Sequence, residues 1–168
     1  MIPENLQSEL IKRFQKVFKS DLFNGPNGER VPVKVYEQHL PIPKRNENPH
    51  DEFAEEDDSS SFYPAIVVQL FEGNQEAWDT PQNITVNIIV GVHDESEDRS
   101  GYKDVRAILR KLSMDIAKNR LMKKQYSIPA PPRWKLHDED THPFYFGAML
   151  LQFEDSIQTL DEGVTKLI

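Results

Sequence analysis

Between residues 84 and 92 every second position is apolar and β-branched: Ile84, Val86, Ile88, Val90 and Val92, with polar Thr85 and Asn87 between the first three. A period of two predicts a strand with one buried face. From Gly101 the period lengthens. Tyr102, Val105, Ile108, Leu109, Leu112 and Ile116 recur at helical spacing with charged residues between them, which predicts an amphipathic helix. The stretch from Gln82 to Leu112 therefore reads as strand, acidic turn and helix.

The same patterns place the other elements. Leu6, Leu10, Ile11, Phe14, Val17 and Phe18 form one stripe of a helix over residues 3–19, with Pro3 and Glu4 suited to its first turn. That stripe fits a sheet of the same chain or a neighbouring subunit. Asn24-Gly25-Pro26-Asn27-Gly28 is a break. Val31, Val33 and Val35 alternate after it, and Pro32 within the run predicts an edge strand or a strand start. Residues 63–72 include Ile66-Val67-Val68, a run expected to be buried on both faces of a central strand. The strand over residues 82–92 is expected to return antiparallel to it. Arg133-Trp134-Lys135-Leu136-His137 alternates. In the last strong strand, Phe144, Phe146, Ala148 and Leu150 share one face and Tyr145, Gly147, Met149 and Leu151 the other. Strand runs with helices set apart predict an α+β fold: an antiparallel or mixed β-sheet of about five to six strands covered by two helices.

The 168 residues suit a single domain, expected over 1–160 with a tail at 161–168. A chain of this size buries roughly 68–70% of its unfolded surface. Hydrophobic residues make up only 38%, below the usual ~45–50%, so polar excursions accompany the core. The clearest is 41–61, with three prolines and the run Asp51 to Asp58, which predicts a long exposed acidic loop. The formal net charge of −8 argues against a general binder of duplex DNA. No cysteine is present, which excludes disulfides, thiolate metal sites and cysteine nucleophiles. The opening residues lack a signal-peptide layout, and no apolar run approaches the ~18–20 residues that span a bilayer. The expectation is a soluble protein made in a cytoplasm, without a membrane partner.

Candidate chemistry is sparse. His50-Asp51, His93-Asp94 and His137-Asp138, with Glu95, Glu97, Asp98 and Asp104, have the oxygen-rich character of magnesium or calcium sites. Each cluster falls where a strand meets a loop, where solvated acids are ordinary. Asp94-Glu95-Ser96-Glu97-Asp98 lacks the central glycine and closing glutamate of a calcium loop. Ser59, Ser60 and Ser61 have no glycine elbow, and no phosphate-cradling glycine motif exists among the 7 glycines. No catalysis, metal or cofactor is expected. The second helix has a basic polar face. Lys103, Arg106 and Arg110 lie at helical spacing, and Lys111, Lys118, Arg120, Lys123 and Lys124 follow. This is either a solvated face complementing the helix C-terminus or a surface that docks acidic loops of an identical neighbour. Head-to-tail contacts of the second kind generate rings when the rotation closes.

Three segments carry a family likeness: FYPAIVVQLFEGN (62–74), VNIIVGVHDESEDRSGYKDVRAILRKL (86–112) and PPRWKLHDEDTHPFYFGAMLLQFE (131–154). Together they resemble the tail terminator, or tail completion, proteins of long-tailed bacteriophages and prophages of Gram-positive bacteria. The shared pattern is a Tyr-Pro strand, a strand whose acidic turn leads through Gly-Tyr-x-Asp into a helix, a Trp strand, and an aromatic turn into a last strand. The resemblance implies a structural virion protein of the tail–neck junction, synthesised in the host bacterial cytoplasm. Such a subunit forms a homo-oligomeric ring, usually a hexamer, on the head-proximal end of the tube. The ring ends polymerisation of the major tail tube protein, offers a surface to a neck or head-completion protein, and passes DNA through its lumen as cargo. On that implication, Glu55, Glu56, Asp57 and Asp58, or Asp94, Glu95, Glu97 and Asp98, face the lumen or the neck. Arg106, Arg110, Lys111 and Lys118 form a subunit or partner interface. Another connector or neck protein, a tube-like subunit, a metal-dependent enzyme and a plain cellular adaptor domain remain as alternatives.

Overall fold

The computed structural model describes residues 2–43 and 59–155. The acidic run with Glu55, Glu56, Asp57 and Asp58, and the tail at 161–168, lie outside the described residues. Helix α1 (Glu4–Val17) turns Leu6, Leu10 and Phe14 inward. Strands β1 (Leu22–Asn24) and β2 (Arg30–Pro32) form a separate antiparallel ribbon. Strand β3 (Lys34–Glu37) follows at once. The single strand expected through Val31, Val33 and Val35 is thus two strands in two sheets. Pro32 has no N–H to donate, and the chain leaves the ribbon there.

A short 3-10 turn (Ser59–Phe62) leads into β4 (Ala65–Asn74) and β5 (Gln82–His93). Helix α2 (Gly101–Lys118), short strands β6 (Leu121–Met122) and β7 (Tyr126–Ser127), then β8 (Arg133–Leu136) and β9 (Phe144–Asp155) complete the described chain. Among the described residues the main sheet has seven strands in the order β3-β4-β5-β9-β7-β6, with β8 also paired to β9. The fold is α+β with a mixed sheet. All pairs are antiparallel except β3 with β4. A parallel pair cannot be closed by a tight hairpin. The long polar stretch between those strands is therefore a topological requirement as well as an excursion.

β5 pairs with β9 from Gln82↔Asp155 to His93↔Phe144. This places the two longest strands at the centre, β9 being bordered by β5 on one edge and by β8 and β7 on the other. Both helices pack on one face, α1 on β3 and β4 and α2 on β5 and β9. Ile66, Val68, Ile84, Val86, Ile88, Val90, Met149, Leu151 and Phe153 form that face's buried layer, closed by Leu10, Phe14, Val105, Ile108, Leu112 and Ile116. The alternation of apolar and polar positions set this layering, since every second strand residue points the same way. Among the described residues the opposite face carries no helix. At one end of it the ring of Tyr63 lies against Phe144 and Phe146, with centroids 5.2 and 6.1 Å away. Gly91 makes room for that ring: a Cβ there would meet it at 2.6 Å.

Two irregularities shape the β4 edge. Gln38, with φ of 64°, extends β3 by its side chain. Its Oε1 accepts the Leu70 N–H at 3.0 Å and its Nε2 donates to the Leu70 carbonyl at 3.2 Å. One residue later a β-bulge between Leu70 and Glu72 leaves Phe71 without a partner on β5. Beyond the bulge the β4–β5 hairpin leaves the helix-covered body, and every residue from Phe71 to Asp79 is exposed. Among the described residues no helix is long and apolar enough to cross a membrane.

Candidate functional site

The strand-to-helix turn after β5 is the most closely tied surface feature. The apolar period does not stop at Val92. His93 and Asp94 are 5% and 7% exposed. Asp94 has the parity of Val90 and Val92, so it continues the inward row. Its N–H donates to the Pro143 carbonyl at 2.9 Å, and its Oδ1 accepts the Ser96 N–H at 2.9 Å. Its Oδ2 and the His93 Nδ1 are buried without a hydrogen-bond partner among the described residues. The His93 ring stands edge-on to Phe144 with centroids 4.9 Å apart, and its Nε2 is 3.8 Å from Glu95 Oε1.

Past Asp94 the chain emerges. Glu95, Glu97 and Asp98 are exposed. Asp98 Oδ1 accepts the Ser96 hydroxyl at 2.8 Å and the Ser100 N–H at 3.1 Å. Hydrogen bonds from the Ser100 side chain first, then the Ser96 side chain, hold its carboxyl below the usual carboxylate range. Arg99, with φ of 58°, turns the chain back and pairs with Asp140 of the β8–β9 turn. Asp140 also accepts the His142 N–H at 3.2 Å. The bond from Arg99, then that from His142, lowers its pKa. His142 Nδ1 lies 2.8 Å from the Tyr145 hydroxyl.

Gly101 explains how α2 starts here. A Cβ at that position would lie 2.3 Å from the Tyr145 ring, so only a bare α-carbon lets the helix rest on β9. Tyr102, expected in the core stripe, is exposed and lies under the Arg106 guanidinium, 5.8 Å from it. The two turns enclose an open cleft of about 390 Å³ with Arg99, Tyr102, His137, Asp140, Tyr145 and Phe146 in its wall. Among the described residues no three His, Cys, Asp or Glu side chains are gathered around a possible cation position. The cleft presents the Arg99–Asp140 ion pair and the edges of Tyr102, Tyr145 and Phe146.

The structure separates the residues expected to act together. Glu95, Glu97 and Asp98 do form an exposed acidic edge. Asp94 is not part of that edge: it is buried in the subunit, and its hydrogen bonds to Ser96 and Pro143 fix the turn. Arg106, Arg110 and Lys118 are exposed on α2. Lys111 departs from them. It pairs with Asp21 and lies over the Phe18 ring at 5.5 Å, so it is used within the chain. Asp104, in the first turn of α2, accepts the Asn24 N–H at 3.4 Å. Burial pushes its pKa up.

Arg13 escaped the sequence reading. Its Nε donates to Asp115 Oδ2 at 2.7 Å, and its Nη2 donates to the carbonyls of Asp115 at 3.0 Å and Asn119 at 2.8 Å. It therefore fastens α1 to the C-terminal end of α2, sharing the Asp115 carbonyl with the Asn119 N–H and capping the Asn119 carbonyl just past the helix. A lone arginine among charged helix positions gives no sequence signal for that role. No protein-family model matches the chain, and no curated protein matches it.

Proposed function

We propose that this protein is a structural subunit of a bacteriophage tail, a terminator that assembles as a ring on the head-proximal end of the tail tube. The observation that carries the reading is how the three resembling segments assemble. Residues 62–74, 86–112 and 131–154 are far apart in sequence, yet they supply β4, β5, β8 and β9 as neighbours in one sheet, with α2 packed on β5 and β9. Their characteristic turns also touch. Arg99 of the acidic turn pairs with Asp140 of the aromatic one, and Gly101 of the Gly-Tyr step rests on Tyr145. The pattern is thus a single structural unit, as a shared family core would be.

Charge supports the same reading. With a net charge of −8, the subunit has little average attraction for DNA, and a ring of such subunits lets DNA pass without holding it by counterion release. The exposed Glu95, Glu97 and Asp98 are candidates for the lumen or neck side. The exposed Arg106, Arg110 and Lys118 are candidates for a contact with tube protein, neck protein or a further subunit.

The test uses the purified full chain. Negative-stain images and light scattering are expected to show closed rings, six-fold in the family's usual form. Added to polymerising tube protein, the chain is expected to shorten and cap the tubes. A monomer at all concentrations that leaves tube length unchanged would sink the reading. Rings that bind neck protein and ignore tube ends would move the assignment to a connector.

A further inference from the structure

The β4–β5 hairpin ends in a side chain that a monomer has no reason to display. Trp78 at its tip is 89% exposed. The tip holding it is ordered by its own hydrogen bonds. Gln75 Nε2 donates to the Thr80 carbonyl at 2.8 Å, and the Ala77 N–H donates to the Thr80 hydroxyl at 3.0 Å. The Thr80 N–H and hydroxyl both donate to the Ala77 carbonyl, at 3.1 and 2.9 Å. A tryptophan presented on a preorganised loop loses little freedom on binding, which is the character of an interface anchor. From Phe71 to Gln82 the hairpin has three acids, Glu72, Glu76 and Asp79, and no base.

A groove of about 610 Å³ between α1 and the β6 end of α2 has the opposite character. Lys12, Arg13, Lys16 and Lys123 line it against two carboxylates, Glu9 and Asp115. Asp115 is taken by Arg13, while Glu9 is shared between Lys12 at 3.5 Å and Lys123 at 3.4 Å. Lys16 has no ion-pair partner among the described residues. Val17, Met122 and the half-exposed Leu121 supply apolar wall. The rim is strained in favour of charge. Lys123 and Lys124, with φ of 53° and 56°, are the central residues of the Met122–Gln125 turn, closed by the Gln125 N–H donating to the Met122 carbonyl at 3.0 Å, in the loop 123–125 between β6 and β7. Positive φ at both central residues of a turn suits asparagine and glycine.

We propose that the groove receives the hairpin of a second copy of this chain, with Trp78 set against Leu121 and Val17 and the hairpin acids paired to Lys12, Lys16 and Lys123. The two surfaces are different patches of one molecule. The contact is therefore head-to-tail, and repeated around a closing rotation it gives a ring. The inference rests on the ring reading for that closure and not for the contact itself.

Self-association of the full chain, measured by sedimentation velocity, tests it. Trp78→Ala, the pair Lys12→Glu with Lys16→Glu, and the pair Glu76→Lys with Asp79→Lys are each expected to weaken association at least tenfold. Combining both charge reversals in one chain is expected to restore it. Lys123→Asn with Lys124→Gly is expected to raise the melting temperature of the subunit while weakening association, which a damaged fold would not do. The chain has no cysteine, so mixed Trp78→Cys and Leu121→Cys chains are expected to give a disulfide-linked dimer on oxidation. Assemblies that survive all these substitutions unchanged, with no cross-link, overturn the contact and leave the ring reading standing. Assemblies that depend on the contact but are not rings keep it and remove the ring reading. A wild-type chain that stays monomeric, without cross-linking, overturns the contact and the ring together.

Discussion

At Gly101 a single hydrogen in place of a methyl group decides whether α2 can rest on β9. Gly101→Ala puts a Cβ into the Tyr145 ring, and ring atoms cannot yield as a flexible chain end does. We expect a loss of about 1–3 kcal/mol, the usual cost of overpacking, read as a lower urea midpoint with unchanged slope. Asp104 gives a pH-dependent counterpart. Its carboxyl has an ordinary value of 3.8 and burial raises it in the folded state. The folded chain therefore holds this proton more tightly, and the group costs stability as pH rises through the interval above 3.8. Asp104→Asn keeps an acceptor for the Asn24 N–H. It is expected to be more stable than wild type at neutral pH and level with it once the pH falls below that interval, as thermal melts across pH would show. Some of this scale was legible in the sequence. Asp94 stands in register with Ile84 through Val92, and extending the period by one step places it inside. An acidic side chain in a run of acids looks solvated, and that appearance masked the parity.

Elements were the most legible scale. The periods of β4, β5, β9 and both helices are imposed by the burial of one face, and burial leaves its mark in the sequence directly. The helices begin and end within a residue or two of the expected points. What the pattern did not contain was pairing across distance. The four-residue β3 lies parallel to β4, and hydrophobicity carries no sign of strand direction. Arg13 is a similar case, because its work is done 102 residues away at Asp115. Arg13→Ala removes a charged hydrogen bond to Asp115 and the two bonds to the carbonyls of Asp115 and Asn119 at the end of α2. We expect a loss of about 1–3 kcal/mol, together with faster amide exchange confined to the end of α2 and β6. Equal acceleration across the whole sheet would contradict that assignment.

For the whole molecule, the decisive property is that charge is distributed unevenly. An acidic hairpin and a basic groove are placed apart on a chain of net charge −8. Electrostatic attraction between copies should then fade as salt shortens the Debye length from about 10 Å at 0.1 M to about 3 Å at 1 M. We expect self-association to weaken ~tenfold over that range, measured by sedimentation; apolar contact alone would hold or strengthen. The sequence conveyed the sign imbalance but not its placement, since the groove is built from residues 9–17 and 115–123 and exists only once α1 and α2 are packed. The bulge at Phe71 adds a mechanical consequence. It is the pivot of a lever. From there the paired arm runs through Glu72, Gly73 and Asn74, or about 10 Å at strand rise, before the tip begins. Removing the extra residue would straighten a bulge's local twist, and a swing of roughly 20° at the pivot carries the far end roughly 3–4 Å sideways. That is most of a strand spacing, enough to miss a socket. Deleting Phe71 should thus leave Trp78 and every acid of the tip intact, leave the folded subunit stable, and still misdirect it: the aim of the arm is encoded by one unpaired residue at its root.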